Sequence, residues 1–143
     1  MKSLYSNINT VDEEIRESGR NLLPPESVES FAMNGDVDNL GEVGSFITFA
    51  NPDTIGQCRL NPDANNHQIS GLVAPSVGKP NKRIVVTNIS PSGYDIRVLN
   101  NNAGSSAGNR ILLDIPVRVI RANDSMIFQY DTIDSRYRLI SKD

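Results

Sequence analysis

The spacing of apolar residues changes at Gly44, and this change constrains the fold more than any other feature of the chain. Beyond it, apolar side chains recur at every second position in short runs. In residues 94–99, for example, Tyr94, Ile96 and Val98 alternate with charged residues. Turn sequences such as Asn-Pro-Asp and Pro-Ser-Gly separate the runs. About nine short strands at this spacing predict an all-β fold, an antiparallel β-sandwich or jelly roll.

The expected strands and core follow from this alternation. Strands are predicted over 45–49, 54–60, 68–74, 83–89, 94–99, 111–115, 117–121, about 126–130 and about 137–139. The predicted core residues are Ile84 or Val85, Ile96, Val98, Val119, Phe128 and Leu139.

Charge divides the chain at the same place. Residues 1–44 carry nine acidic and three basic side chains, a net charge of −6, and every glutamate lies at or before Glu42. Residues 45–143 carry eight acidic and eleven basic side chains, a net charge of +3. Glutamate is depleted in strands, so the boundary is architectural as well as electrostatic. We therefore predict an N-terminal arm over 1–44 and a β domain over 45–143.

The arm is predicted to be an attachment or oligomerisation segment. Thr10 and Glu13 form a capping box for a short helix over 11–18, which is too short to be stable alone in water. Pro24 and Pro25 prevent its continuation. The scattered apolar residues beyond the helix are predicted to be docking anchors that need a partner surface: Leu22, Leu23, Phe31, Met33 and Leu40.

Three sequence patterns resemble chemical sites, and each lacks what the chemistry needs. Residues 104–108 match G-x-S-x-G around Ser106, but a strand is predicted after them and His67 lies upstream. Residues 36–41 resemble the start of a calcium loop, but its third ligand position holds Leu40. His67 has no neighbouring metal-ligand partner, and Cys58 is predicted to be a small buried residue.

The sequence therefore predicts a protein with no catalytic, metal or cofactor site. A net charge of −3 argues against a nucleic-acid partner, and no apolar run is long enough to span a bilayer.

Four stretches of the C-terminal part carry a resemblance to a known group of domains. They are 83–99 (RIVVTNISPSGYDIRVL), 100–111 (NNNAGSSAGNRI), 124–131 (DSMIFQYD) and 136–139 (RYRL). Over about residues 70–141 the chain resembles the β-sandwich domains of tailed-bacteriophage fibres, spikes and head-decorating proteins. Such domains commonly carry Trp in the final strand, where this chain has Tyr137. The resemblance implies a homotrimer in the virion, without catalytic residues.

The expected function is that of a non-catalytic virion structural protein, a capsid-decorating or head-fibre component whose arm docks to other capsid or tail proteins. An arm that orders on binding can cover a large surface. The alternative is a tail-fibre or spike component, or a carbohydrate-binding module for host surface glycans. Trp is absent, and most aromatic residues are expected on core faces, which disfavours sugar stacking.

Overall fold

A computed structural model of the protein describes residues 27–76 and 81–142. The helix predicted over 11–18 lies outside these residues. The described part is all-β, with one short 3-10 turn at Ala107–Asn109 and no α-helix. Its strands are β1 (Ser27–Met33), β2 (Ile55–Pro62), β3 (His67–Ile69), β4 (Arg83–Asn88), β5 (Ile96–Leu99), β6 (Ile111–Leu112), β7 (Val117–Ile120), β8 (Ser125–Asp131) and β9 (Arg136–Lys142).

The strands form two mixed sheets. The larger sheet has the order β1-β2-β4-β8-β9-β6, and the smaller has the order β3-β5-β7. The pairs β1–β2, β2–β4, β3–β5 and β6–β9 are parallel, whereas β4–β8, β5–β7 and β8–β9 are antiparallel. The prediction of a purely antiparallel fold is therefore wrong. A period of two fixes which face each residue occupies, but it does not fix the direction of the neighbouring strand.

The pairs β1–β2, β2–β4 and β3–β5 are parallel because the chain alternates between the two sheets and stacks each turn on the one before. In the larger sheet Gln57 lies opposite Val85, 28 residues further on. In the smaller sheet His67 lies opposite Ile96, and the isolated bridge from Val37 to Ile69 adds the first turn. Three successive turns are stacked in this way, as in a β-solenoid.

The two sheets share one apolar core. Its largest fully buried side chains come from both sheets and from the loops between them: Tyr137, Phe128, Met33, Leu40, Ile55, Leu60, Ile69, Leu72, Ile84, Ile96, Ile111 and Ile120. The predicted core residues Ile84, Ile96, Val98 and Phe128 are confirmed. Leu139 is partly buried against the core.

Val119 was predicted in the core, and this prediction is wrong. Its side chain is 37% exposed, and the next residue, Ile120, is fully buried instead. Both faces of β7 offer apolar side chains, so alternation alone did not choose the inner face. The larger Ile120 occupies the core.

The boundary predicted after residue 44 is also corrected for the described part of the chain. Ser27–Met33 is strand β1 of the larger sheet, and residues 37–40 pair with residues 69–72 of the smaller one. The loop that follows contributes Ile47 and Phe49 to the core, and Phe49 stacks on Phe31 with ring centroids 5.9 Å apart. Residues 27–44 therefore belong to the β domain.

Candidate functional site

The predicted docking anchors separate into two groups. Met33 and Leu40 are fully buried in the core, and Phe31 is partly buried against it. Met33 and Leu40 are covered by their own domain, so their prediction as anchors that need a partner is wrong, whereas the anchor role of partly buried Phe31 stays a prediction. Leu22 and Leu23 lie outside the described residues, and their role stays a prediction.

The G-x-S-x-G stretch contains two serines with different environments. It leads into the 3-10 turn at Ala107–Asn109 and then into the short strand β6, rather than into an α-helix. Ser106 is exposed and its side chain makes no capping hydrogen bond. Ser105 is buried, at 2% exposure. The surroundings that the nucleophile-elbow motif requires are therefore not present at Ser106.

Ser105 belongs to a chain of hydrogen bonds that joins separate turns of the fold. Its hydroxyl accepts a bond from the Asn39 backbone N–H at 2.8 Å and lies 2.7 Å from the Ser70 hydroxyl. The Ser70 hydroxyl donates to the carboxylate of Asp38. Because Ser70 has one proton to donate, Ser105 is the donor in the bond between the two hydroxyls. The Ser105 hydroxyl thus uses both its proton and its oxygen in hydrogen bonds inside the fold.

Asn109 extends this arrangement. Its amide nitrogen donates to the side-chain oxygen of Asn39 at 2.9 Å and to the Glu42 carboxylate at 2.6 Å. Its amide oxygen accepts from the Ala74 backbone N–H at 2.8 Å. We refer to Asp38, Asn39, Ser70, Ser105 and Asn109 as the polar cluster. It cross-links residues 38–42, 70–74 and 105–109, and satisfied buried bonds of this kind rigidify a fold.

The resemblance of residues 36–41 to a calcium loop is likewise explained by structural bonds. The Asp36 carboxylate accepts from the Gln68 backbone N–H at 2.9 Å, and the Asp38 carboxylate accepts from Ser70. Leu40 points into the core. Across residues 27–76 and 81–142, no three His, Cys, Asp or Glu side chains form a group that could hold a metal ion.

His67 has acidic partners that the sequence reasoning missed. Its Nε2 atom lies 2.6 Å from a carboxylate oxygen of Asp63, and its Nδ1 atom lies 3.8 Å from one of Asp36. Asp63 is four residues upstream and could have been noticed, whereas Asp36 comes from the preceding turn of the chain. The three side chains connect the loops of two stacked turns.

Cys58 is confirmed as a small buried residue. Its side chain is fully buried on the inner face of β2. Burial raises the pKa of the thiol well above its ordinary value, and the nearby Glu29 carboxylate adds to this effect. Burial and the raised pKa keep the thiol protonated, and the protonated thiol is a poor nucleophile and a poor metal ligand.

A shallow groove lies on each side of β9. The larger, of about 480 Å³, is lined by residues of β6, β7 and β9 and of the loop after β6, including Asp114 and Arg118. Arg138 borders both grooves and forms ion pairs with Asp131 and Asp134. The hydrogen bond from Arg138 lowers the pKa of the Asp131 carboxyl. Within these grooves the arginines are paired with carboxylates, Arg118 with Asp114 and Arg138 with Asp131 and Asp134.

The aromatic residues suit packing better than sugar binding. Phe128 and Tyr137 are buried, and the Tyr137 hydroxyl donates to the backbone oxygen of Val73 at 2.7 Å. Tyr130 packs edge-to-face on Tyr137 with ring centroids 5.1 Å apart. Phe46, at 62% exposure, is the aromatic side chain that the described surface displays most openly. The described residues thus offer no cluster of aromatic rings to a sugar.

The most distinctive exposed feature is the edge of the larger sheet at β1. This strand pairs with β2 on one side, and no described strand lies on the other. Val28, Ser30 and Ala32 face outward from it and are exposed. Residues 1–26 join the domain at this strand. The edge is therefore the candidate functional site of the described structure.

Comparisons with known proteins found no matching family model, no matching curated protein and no matching solved structure. Within the described residues, no helix has the length and apolar character needed to cross a membrane.

Proposed function

We propose that this chain is a non-catalytic structural protein of a tailed-bacteriophage particle, a capsid-decorating or head-fibre component that docks to other virion proteins through its N-terminal residues. The proposal rests on the resemblance of residues 70–141 to domains of such proteins. It also rests on how the N-terminal residues meet the domain.

The observation that carries the docking part of the proposal is the position of Ser27. The described chain begins there, in strand β1 at the outer edge of the larger sheet, so residues 1–26 precede the domain at that edge. The buried apolar residues of the described chain begin at Met33. Residues 1–26 lead into the domain at this edge, and we propose them as the attachment segment. The attachment role therefore narrows from residues 1–44 to residues 1–26, which include Leu22 and Leu23.

The use of polar side chains also supports a structural role. In the polar cluster, the side chains of Ser105 and Asn109 form hydrogen bonds that join separate turns of the chain. His67 serves two loops in the same way. Such cross-links stiffen the domain, as expected for a rigid module that a separate segment attaches to a particle.

The sandwich or jelly-roll topology of the resembling domains is proposed only for residues 83–142. The antiparallel pairs β4–β8, β5–β7 and β8–β9 all lie in this range. The parallel pairs β1–β2, β2–β4, β3–β5 and β6–β9 have no counterpart in that topology.

The test compares particles that carry the full-length chain with particles that carry a chain lacking residues 2–26. We expect the truncated domain to remain folded and to be lost from purified particles, as measured by mass spectrometry. A double variant, Leu22→Ser with Leu23→Ser, should also reduce incorporation. The matched control is Val43→Ser, which changes an exposed apolar residue of the β domain.

Two outcomes would contradict the proposal in different ways. Undiminished incorporation of the truncated chain would place the attachment surface in the β domain. Absence of the full-length protein from purified particles would refute the virion assignment. Specific binding on a glycan array would then favour the carbohydrate-binding alternative.

A further inference from the structure

The two edges of the larger sheet are protected very differently. Unpaired strand edges invite pairing with other chains, and proteins protect them with short strands, charges or prolines. The β6 edge has two residues and is followed by Asp114, Pro116 and Arg118. The β1 edge has seven residues and contains no proline or lysine. Its register is irregular only between Ser27 and Val28.

The single charge on β1 does not protect the edge. The Glu29 carboxylate faces inward and accepts hydrogen bonds from the backbone N–H groups of Ala50 and Asn51 at 2.7 and 3.0 Å. The outward-facing side chains of Val28, Ser30 and Ala32 are all uncharged. A long edge without charged outward residues has the character of a pairing surface.

The hydrogen bonds of β1 show which backbone groups are free to pair. Ser27 N–H donates to the Thr54 carbonyl, and the Met33 carbonyl accepts from Asp63 N–H, so odd-numbered residues point toward β2 and its flanks. In a parallel pair, the N–H and C=O groups of one residue both point toward the neighbouring strand, and those of the next residue both point away from it. The N–H and C=O groups of Val28, Ser30 and Ala32 therefore point away from the sheet. No hydrogen bond from another described residue reaches these groups.

We propose that the β1 edge is a self-association surface, on which a second copy of this chain pairs antiparallel through its own β1 about a two-fold axis at Ser30. In this register Ser30 lies opposite Ser30 of the second copy, and Val28 lies opposite Ala32. These are hydrogen-bonded pairs, each exchanging both backbone bonds. The three pairs together form about six backbone hydrogen bonds and join the two large sheets into one.

Self-complementarity argues for a second copy rather than a strand of unrelated sequence. An isologous contact requires the same patch to match itself when rotated by a half-turn. About Ser30, the outer face of β1 places apolar Val28 against apolar Ala32 and a hydroxyl against a hydroxyl. No two charges face each other across the axis.

The charge on the neighbouring strand β2 does not prevent this pairing. Arg59 on β2 lies beside Ser30, and the two Arg59 side chains would be three strand spacings apart, about 14 Å. This distance exceeds the screening length of about 8 Å at physiological ionic strength, so their repulsion is weak. The proposal does not depend on the proposed function. It differs from the homotrimer that the resemblance implies, because a two-fold contact closes at two copies.

The experiment measures the oligomeric state of the full-length chain by sedimentation velocity over a range of concentrations. We expect a dimer whose dissociation constant rises about fivefold or more in Ser30→Glu, because two carboxylates then lie opposite each other. Arg59 lies next to this position within each copy, so the variant domain should remain folded. The matched control is Asn61→Glu, which adds the same charge to the same face one strand away from the edge.

A mixing experiment tests the register itself. Ser30→Lys alone should weaken the dimer as Ser30→Glu does, and an equimolar mixture of the two variants should restore it as a heterodimer. A wild-type chain that stays monomeric over the whole concentration range would overturn the proposal, whatever covers β1 in the monomer. A trimer, or a dimer that Ser30→Glu and Asn61→Glu affect equally, would overturn it as well.

Discussion

Replacing Gly71 with alanine adds one carbon atom and should lower the stability of this domain strongly. Gly71 lies beneath the polar cluster, and a Cβ atom added there would be 2.4 Å from the Ser105 hydroxyl oxygen. It would also be 2.5 Å from the Ser105 Cβ and 2.6 Å from the backbone oxygen of Asn109. Each distance falls short of ordinary van der Waals contact by about 1 Å, so atoms on both sides must move.

The loss of unfolding free energy has two sources, the steric overlap itself and the hydrogen bonds that the displaced atoms make. Overpacking of this kind costs about 1–3 kcal/mol. Moving Ser105 strains its bonds to Asn39 and Ser70, and moving the Asn109 carbonyl strains the 2.7 Å bond from Leu72 N–H. Each hydrogen bond that is lost adds about 0.5–1.5 kcal/mol. We therefore expect Gly71→Ala to lower the free energy of unfolding by about 3–4 kcal/mol.

Chemical denaturation with urea measures this change directly, and thermal unfolding should show a fall of about 12 °C in Tm. Gly35→Ala is the matched control, because its added Cβ would meet only the edge of the Phe46 ring, at 3.5 Å. That variant should stay within about 0.5 kcal/mol of the wild type. Equal stabilities for the two variants would refute the claim that the polar cluster is closely packed and holds the turns together.

Three further predictions concern the N-terminal boundary, the two serines and the cysteine. Removal of residues 1–26 should leave Tm nearly unchanged, whereas removal of residues 1–40 deletes β1 and should unfold the domain, as seen by circular dichroism; equal Tm values would contradict the corrected boundary. Ser105→Ala should lower the free energy of unfolding by about 1–3 kcal/mol because a backbone N–H loses its acceptor, whereas exposed Ser106→Ala should change it by less than about 0.5 kcal/mol, a difference that urea titration resolves. Cys58 should resist a water-soluble thiol reagent until the protein unfolds, because burial raises its thiol pKa, and rapid labelling of the native protein would disprove this.

Much of the strand content could be read from the sequence because alternation is a local property. Residues 83–88 contain β-branched side chains at successive positions, and they form β4 as predicted. Ile96 and Val98 are buried as the alternation of residues 94–99 predicts. The low polarity and position of Cys58 within a short strand were likewise enough to predict its burial. In each case the information lies within a few neighbouring residues.

The polar cluster and the candidate site at the β1 edge could not be predicted in this way. The G-x-S-x-G motif pointed to Ser106, but Ser105 is the serine of the polar cluster, because its hydroxyl accepts a bond from the Asn39 N–H and donates one to Ser70. Those partners lie 66 and 35 residues away in the chain, and no spacing rule links them. Strand β1 was missed because the glutamates near it indicated an arm. In the fold, the Glu29 carboxylate accepts hydrogen bonds from two backbone N–H groups.

The sequence by itself therefore determined that this is a β protein with short strands, frequent turns and a buried cysteine. It did so because alternation and turn chemistry act over a few residues. Tertiary structure alone decided that successive turns stack in parallel, that Met33 and Leu40 belong to the core, and that β1 is the outermost described strand of the larger sheet. These features depend on pairings about thirty residues apart, such as Leu40 with Leu72. A period of two is the same for a parallel and an antiparallel neighbour, so only the folded chain distinguishes them.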